Sequence, residues 1–439
     1  MSLIQFIMER CSAISWIEEV KPKWPKTLQE PPVPDIFILD EELGFKGKIK
    51  QKGRDFQVSE ILAQEPLGTG PNTFLRIKKK NISTLELIEA LAEYLDREIE
   101  DFCVAEYKGP RCVAIQWISL EHLDPRALAG FDHPEAQIIQ ISRSEERLKP
   151  VNLKGNRFEV IIRDVDSGAL EKARRGLELL KKSGAPNWFG GQCFGYRKNR
   201  HLLGWALIKK KWEWFLYEFL NNPVKVDNDE VNKARKEAAS GNWKKALELF
   251  PESCKAERAA LKSLKRYPRN KERACSVIPV EYRRFFLLAL QGYAFNDFLA
   301  RRIDKFDQLV EGDVAFMHGS EGCFPVVDPR DERPRMDRFE ISPTGPMFGE
   351  KFLGASKEME DLEDQVIERL DLTYEDFQRS RYTIPGRRRP LRAPIAQTRA
   401  QMLNKKDMEL GFFLPRSSYA TVIIEELMHR RFDYDNEEL

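Results

Sequence analysis

Gly184-Ala185-Pro186-Asn187-Trp188-Phe189-Gly190-Gly191-Gln192-Cys193-Phe194-Gly195 is the most unusual stretch of this 439-residue chain. Four glycines are interleaved with three aromatic rings and with the amides of Asn187 and Gln192. Glycines permit tight turns and close backbone approach, rings offer stacking faces, and amides offer donors and acceptors. The stretch predicts a loop that recognises a planar polar ligand. Its spacing fits neither the dinucleotide GxGxxG pattern nor the GxxxxGK[ST] phosphate loop.

Working outward, short alternating runs at 48–50, 56–58 and 74–78 predict strands, followed by a helix over 81–94 that Ser83 and Glu86 open as a capping box. A strand at 102–105, a loop at 106–111 and a strand at 112–118 come next, then strands at 136–143 and 157–163 and an amphipathic helix at 167–183. This is a mixed α+β body with several antiparallel strands. Beyond Trp212 the pattern turns helical (227–239, 243–249, 254–267, 281–306), and this composition shift marks a domain boundary. Strands and Pro/Gly turns at 312–354, an acidic helix at 356–370, a strand at 411–414 and a last helix after Ser417-Ser418 complete the chain. Five prolines in 21–36 read as a linker or arm.

Composition excludes several classes. With 42% hydrophobic and 10% aromatic residues the chain is not disordered, and no apolar run is long enough to span a bilayer. Seven scattered cysteines without a C-x-x-C pair, and five dispersed histidines, predict neither a disulfide framework nor a metal site. Residues 1–20 mix apolar and acidic side chains and fit neither a secretory nor a transit peptide, so a reducing cytoplasm is the expected compartment.

The formal charge of +2 conceals a partition. Residues 44–80 carry nine Lys/Arg against three acids, 197–212 carry six against none, and 381–406 carry eight against none. Residues 356–376 hold nine acids against two bases. Three separated basic segments can merge on folding into one phosphate-tracking groove, with the aromatic loop beside the second of them.

A resemblance adds to this. Pro186-Asn187-Trp188-Phe189-Gly190-Gly191-Gln192-Cys193-Phe194-Gly195 resembles the PNYFGxQRFG motif of the TruD family of tRNA pseudouridine synthases. Gly47-Lys48-Ile49-Lys50-Gln51 with Asp55-Phe56-Gln57-Val58-Ser59-Glu60 resembles GxIKQ…DFxVxE, and Gly155-Asn156-Arg157-Phe158 resembles GNRF. Phe295-Asn296 with Leu299 and Arg302 resembles FNxxLxxR, Pro343-Thr344-Gly345-Pro346 resembles PTGP, and Pro385-Gly386-Arg387-Arg388 resembles PGxRR. Phe413-Leu414-Pro415 and Ser418-Tyr419-Ala420-Thr421 resemble FLPxGSYAT. The resemblance implies a pseudouridine synthase catalytic fold, a mixed and largely antiparallel sheet with helices, split by an insertion domain. Mapped here, 1–43 is an N-terminal extension, 44–212 and 390–439 are the two parts of the catalytic domain, and 213–389 is the insertion, with RNA in the cleft between them.

The activity implied is isomerisation of a uridine in tRNA, without cofactor or metal. Lys50, Phe56, Asn187, Phe189, Gln192 and Phe194 become the residues expected to hold the flipped base. Lys78, Lys79, Lys80, Arg197, Arg200, Lys209, Lys210, Lys211, Arg387, Arg388 and Arg389 become those expected on the RNA backbone, with tRNA the expected partner and no membrane.

The departures matter as much. The chemistry breaks the bond from uracil N1 to the ribose, turns the base and rejoins it through C5, and an aspartate must act at the sugar or base. In the family it follows Lys in a motif resembling AGxKDxxAVTxQ. This chain reads Ala105-Glu106-Tyr107-Lys108-Gly109-Pro110-Arg111-Cys112-Val113-Ala114-Ile115-Gln116, with Lys108 kept and Gly109 at the aspartate position. Glu106 stands for Gly, Cys193 for Arg, Gly292 for Ser and Glu425 for Arg. Two expectations follow: an RNA-binding homologue without the chemistry, or an active synthase using a relocated carboxylate such as Glu106.

Overall fold

A computed structural model describes residues 21–432 except positions 226, 379, 381 and 383, so the expectations for 1–20 and 433–439 lie outside the described residues. The chain forms two compact units, one of Phe37–Asn187 with Arg392–Arg431, the other containing 21–36 and Trp188–Leu391. The unit boundaries fall at Asn187 and Leu391, whereas composition changes at Trp212. Residues 188–212 differ because the helix Arg200–Ile208 buries Leu203, Ala206 and Leu207 and packs on the long helix Val280–Arg302.

The first unit is built on one mixed sheet. Its strands are β1 (Phe56–Leu62), β2 (Asn72–Lys79), β3 (Cys103–Val104), β4 (Val113–Glu121), β5 (Ala136–Ser144), β6 (Leu153–Ile162), β7 (Ala185–Pro186), β8 (Arg392–Ala393), β9 (Ala396–Met402) and β10 (Met408–Pro415). The eight-stranded sheet runs β9-β10-β6-β1-β4-β2-β5 with β3 on β4, and β7 pairs with β8 apart from it. Among the described residues of this sheet only β1 and β4 run parallel; the other pairings are antiparallel. The expected strand at 48–50 reduces to a bridge between Lys48 and Arg163.

Strand β1 shows period-2 burial, with Phe56, Val58, Glu60 and Leu62 all inward. Glu60 therefore projects from the apolar side of its strand, directly opposite Asn156 on β6. Helix α1 (Thr84–Leu95) starts at the expected capping box, where Ser83 and Glu86 each accept the other's backbone N–H. It buries Leu87, Ile88 and Leu91 against Leu75, Ile77 and Ile118 of the sheet. Helices α2 (Ala169–Ser183) and α3 (Ala420–Met428) pack on each other, and Gly176 lies where a Cβ would sit 2.6 Å from Leu427.

The second unit is mainly helical around Val280–Arg302, with a four-stranded sheet of Val314–Met317, Cys323–Pro325, Ile341–Met347 and Arg387–Pro390. The proline-rich arm is an ordered part of it. Trp24 meets Trp205 and Trp214 edge-on at 5.9 and 5.4 Å, and Asn296 Nδ2 donates to the Pro32 carbonyl at 2.8 Å. His201 Nε2 lies 3.0 Å from the Leu28 carbonyl, and burial holds its imidazole down at about 4, so the neutral ring donates there.

Candidate functional site

The loop after β3 carries Glu106, Lys108 and Gly109, and its backbone is tightly held. Thr84, the first residue of α1, donates its N–H to the Lys108 carbonyl at 2.9 Å and accepts the Lys108 N–H on Oγ1 at 2.8 Å. Its hydroxyl in turn donates to Gln116 Oε1 of β4 at 2.8 Å. Lys79 Nζ donates to the carbonyls of Ile82 and Gly109 at 2.6 and 2.9 Å, and Cys112 Sγ lies 3.4 Å from the Gly109 carbonyl. Within this frame Gly109 is exposed, and a Cβ built on it meets nothing within 4 Å. The position has room for an aspartate and no acid to fill it.

Lys108 points the other way, into a polar cluster. Its Nζ lies 2.5 Å from Glu106 Oε2, 2.9 Å from Asn156 Oδ1 and 3.7 Å from Glu60 Oε1. Glu106 also accepts from Asn156 Nδ2 at 3.0 Å and, through Oε1, from the Ser417 N–H at 2.7 Å. Burial raises the Glu106 carboxyl, but Lys108 and the hydrogen bonds from Lys108, Ser417 and Asn156 outweigh it and hold the group below its usual value. Glu60 is 2% exposed, accepts the Trp117 N–H on Oε2 at 2.8 Å, and has no hydrogen bond on Oε1. Burial pushes it up to about 7.

Of the expected base-holding residues, Lys50 and Phe56 come together, with the Lys50 ammonium 4.9 Å from the ring centroid. Lys50 is also one of three cations, with Lys79 and Lys108, that act on the Cys112 thiol, which burial nonetheless raises. Asn187 is buried at the end of the first unit. Phe189 belongs to the second unit and is boxed in. Its N–H donates to Asn296 Oδ1 at 2.8 Å, its ring meets Phe295 edge-on at 5.7 Å, and the Arg389 guanidinium covers it at 4.2 Å. Gly292 forms the floor: a Cβ there would sit 2.8 Å from the ring, so only glycine admits this packing unchanged. Phe194 is fully buried against His201 and Tyr293, while Gln192 is exposed.

The basic candidates divide. Lys78, Lys80, Lys210, Lys211 and Arg387 are exposed; Arg200 is half-buried with its guanidinium 5.7 Å from Phe285, and Lys209 reaches Asp376 at 3.3 Å. Four others make contacts within the protein. Lys79 is wholly buried because strand alternation turns it inward between Lys78 and Lys80, where loop carbonyls take its charge. Arg388 pairs with Glu363 in the interior and donates to Thr344 Oγ1 at 2.9 Å. Arg389 lies over Phe189, and Arg197 donates to the Glu218 carbonyl at 3.0 Å, 3.7 Å from Asp227.

A basic face that sequence reasoning passed over lies on the helix Lys255–Arg266 and the turn after it. Lys262, Lys265, Arg266, Arg269 and Arg273 are all exposed, and none has an ion pair among the described residues. Tyr267 sits between the Arg266 and Arg273 guanidinium groups at 5.2 and 4.3 Å. The signal was present as helical spacing: Ala260, Leu261 and Leu264 face inward, so the intervening cations face out.

Among the described residues no group of three or more His, Cys, Asp or Glu could hold a metal ion. What the first unit holds is a polar cluster of Glu60, Glu106, Lys108 and Asn156 beside an exposed Gly109. The model of tRNA pseudouridine synthase D (TruD) matches residues 35–427, and the chain belongs to that family. It is 35% identical over 394 residues to a tRNA pseudouridine synthase D of Geobacter sp. (strain M21), covering 90% of this chain and 99% of that protein. A tRNA pseudouridine synthase D of Thermus thermophilus is 29% identical, covering 89% of this chain and 91% of that protein. A crystal structure from Methanosarcina mazei carrying the TruD name superposes with a TM-score of 0.69 at 24% identity, over 93% of this chain and 98% of that one, and shows the shared fold.

Proposed function

We propose that this chain binds tRNA as its relatives' names imply and does not isomerise the uridine. The observation that carries this reading is Gly109. The loop around it is held in place by Thr84, Lys79 and Cys112, yet the aspartate position carries no side chain and faces open space. A hydrogen can neither attack C1′ of the ribose nor take the C5 proton after the base has rotated.

The alternative, a relocated carboxylate at Glu106, meets a physical objection. Both Glu106 oxygens are occupied by donors from the protein, and those donors lower its basicity and nucleophilicity together. Glu60 is buried behind Lys108. Binding is favoured by what is kept: Lys50 over Phe56, an exposed Gln192, and the cations Lys78, Lys80, Lys210, Lys211 and Arg387 at the surface.

The test is to incubate purified protein with bulk tRNA and probe for new pseudouridine with a carbodiimide. No new site is the expected result, and turnover by the unaltered protein would overturn it. Filter binding across a salt series checks the other half, with affinity falling steeply as salt rises. A flat dependence would exclude a phosphate-lined surface.

A further inference from the structure

We infer that Glu106 is a latch: its carboxylate ties the 106–111 loop to the Ser417 turn and holds the Lys108 ammonium closer to itself than to Glu60. The inference rests on the non-catalytic reading and goes a step further, because it says why an acid restored at 109 is not sufficient.

Two departures that lie 311 positions apart in the chain meet here. The motifs resembled place glycine at 106 and at 417; this chain has Glu106 and Ser417, and the serine N–H donates to the carboxylate at 2.7 Å. Ser417 holds φ at +63°, a left-handed conformation that suits glycine better than serine. The hydrogen bond it donates to Glu106 stabilises the turn in that form. On its other oxygen Glu106 takes the closest approach to Lys108 and a bond from Asn156, leaving Glu60 Oε1 at 3.7 Å from the ammonium and without a hydrogen bond.

A buried carboxylate oxygen without a donor, one ammonium away from satisfaction, is a poor arrangement unless something else holds the ammonium. Glu106 is that something. Without its charge, Lys108 keeps only Asn156 and Glu60 as partners and shifts onto Glu60. The link from the loop to the turn after β10 is lost with it. Gly109→Asp in the Glu106 background would place its carboxyl on a loop still tied down and beside a lysine still engaged.

Four forms of the full chain test this: unaltered, Glu106→Gly, Gly109→Asp and the double variant, with Glu106→Gln as a form that keeps the side chain's shape and removes its charge. The Glu60 carboxyl is followed by ¹³C NMR, assigned by its loss in Glu60→Gln. Its titration midpoint is expected to fall by at least about one pH unit in Glu106→Gln and Glu106→Gly, because a like charge beside it is removed and the ammonium is left to it and Asn156. On tRNA, the double variant is expected to form pseudouridine at least about tenfold faster than Gly109→Asp alone. A Glu60 midpoint unmoved by both Glu106 variants, or a Gly109→Asp single variant as fast as the double, overturns the latch. If neither variant turns over, the titration alone decides. Turnover by the unaltered protein would sink the non-catalytic reading while the titration still judged the latch.

Discussion

The loop around Gly109 and the loop around Phe189 present opposite arrangements. In the first the backbone is pinned by Thr84 and Lys79, and Gly109 faces open space without a side chain. In the second the aromatic side chain is present, but Gly292 and Arg389 enclose it at 4% exposure. A loop can be firmly held and bare at its tip, or carry a ring that its neighbours enclose.

The largest effect that would test the comparison is on the polar cluster. Lys108→Met leaves the part-buried Glu106 with neutral donors only, and should destabilise the protein by about 1–3 kcal/mol in urea unfolding. A loss under about 1 kcal/mol would show the first loop to be no better ordered than a surface turn. Gly292→Ser drives a Cβ into the Phe189 ring and should cost about 1–3 kcal/mol, with the ring displaced from Arg389. Unchanged stability there would mean the box around Phe189 is loose.

Next comes pH. The Glu60 carboxyl stands at about 7 in the folded chain against an ordinary value of 4.5, so the folded state binds more protons between those limits. Its contribution is complete below about 4.5 and is lost as pH rises through 7. Glu60→Gln should flatten that decline, measured as the urea midpoint from about pH 4.5 to about pH 8; an identical profile would contradict the burial of Glu60. Glu426, also at about 7, remains as a background with the same sign, while His201, held down at about 4, works in the opposite direction over about 4 to 6.5. The smallest expected effect is on RNA affinity. Lys262→Glu with Arg266→Glu should weaken tRNA binding about tenfold and reduce the salt slope by about two, leaving stability unchanged. Equal affinity would assign the exposed basic face to solvation alone.

Local signals carried much of the fold. The Ser83/Glu86 capping box, the alternation of β1 and the amphipathic helices were legible because they depend on spacing within a few residues. Lys79 could have been read too, since alternation along β2 places it opposite in sense to Lys78 and Lys80. Arg388 could not: both it and Arg389 are buried against partners at Glu363 and Phe189, far off in the chain.

Sequence alone determined the family pattern and that position 109 carries no side chain, because a side chain that is absent is absent in any conformation. It also showed a carboxylate at Glu106. What that carboxylate does was decided by tertiary structure, since its partners Lys108, Asn156 and Ser417 come from a loop, a strand and a turn up to 311 residues apart. Hydrogen bonding depends on distances of about 3 Å, and no spacing rule along a chain sets those across a sheet.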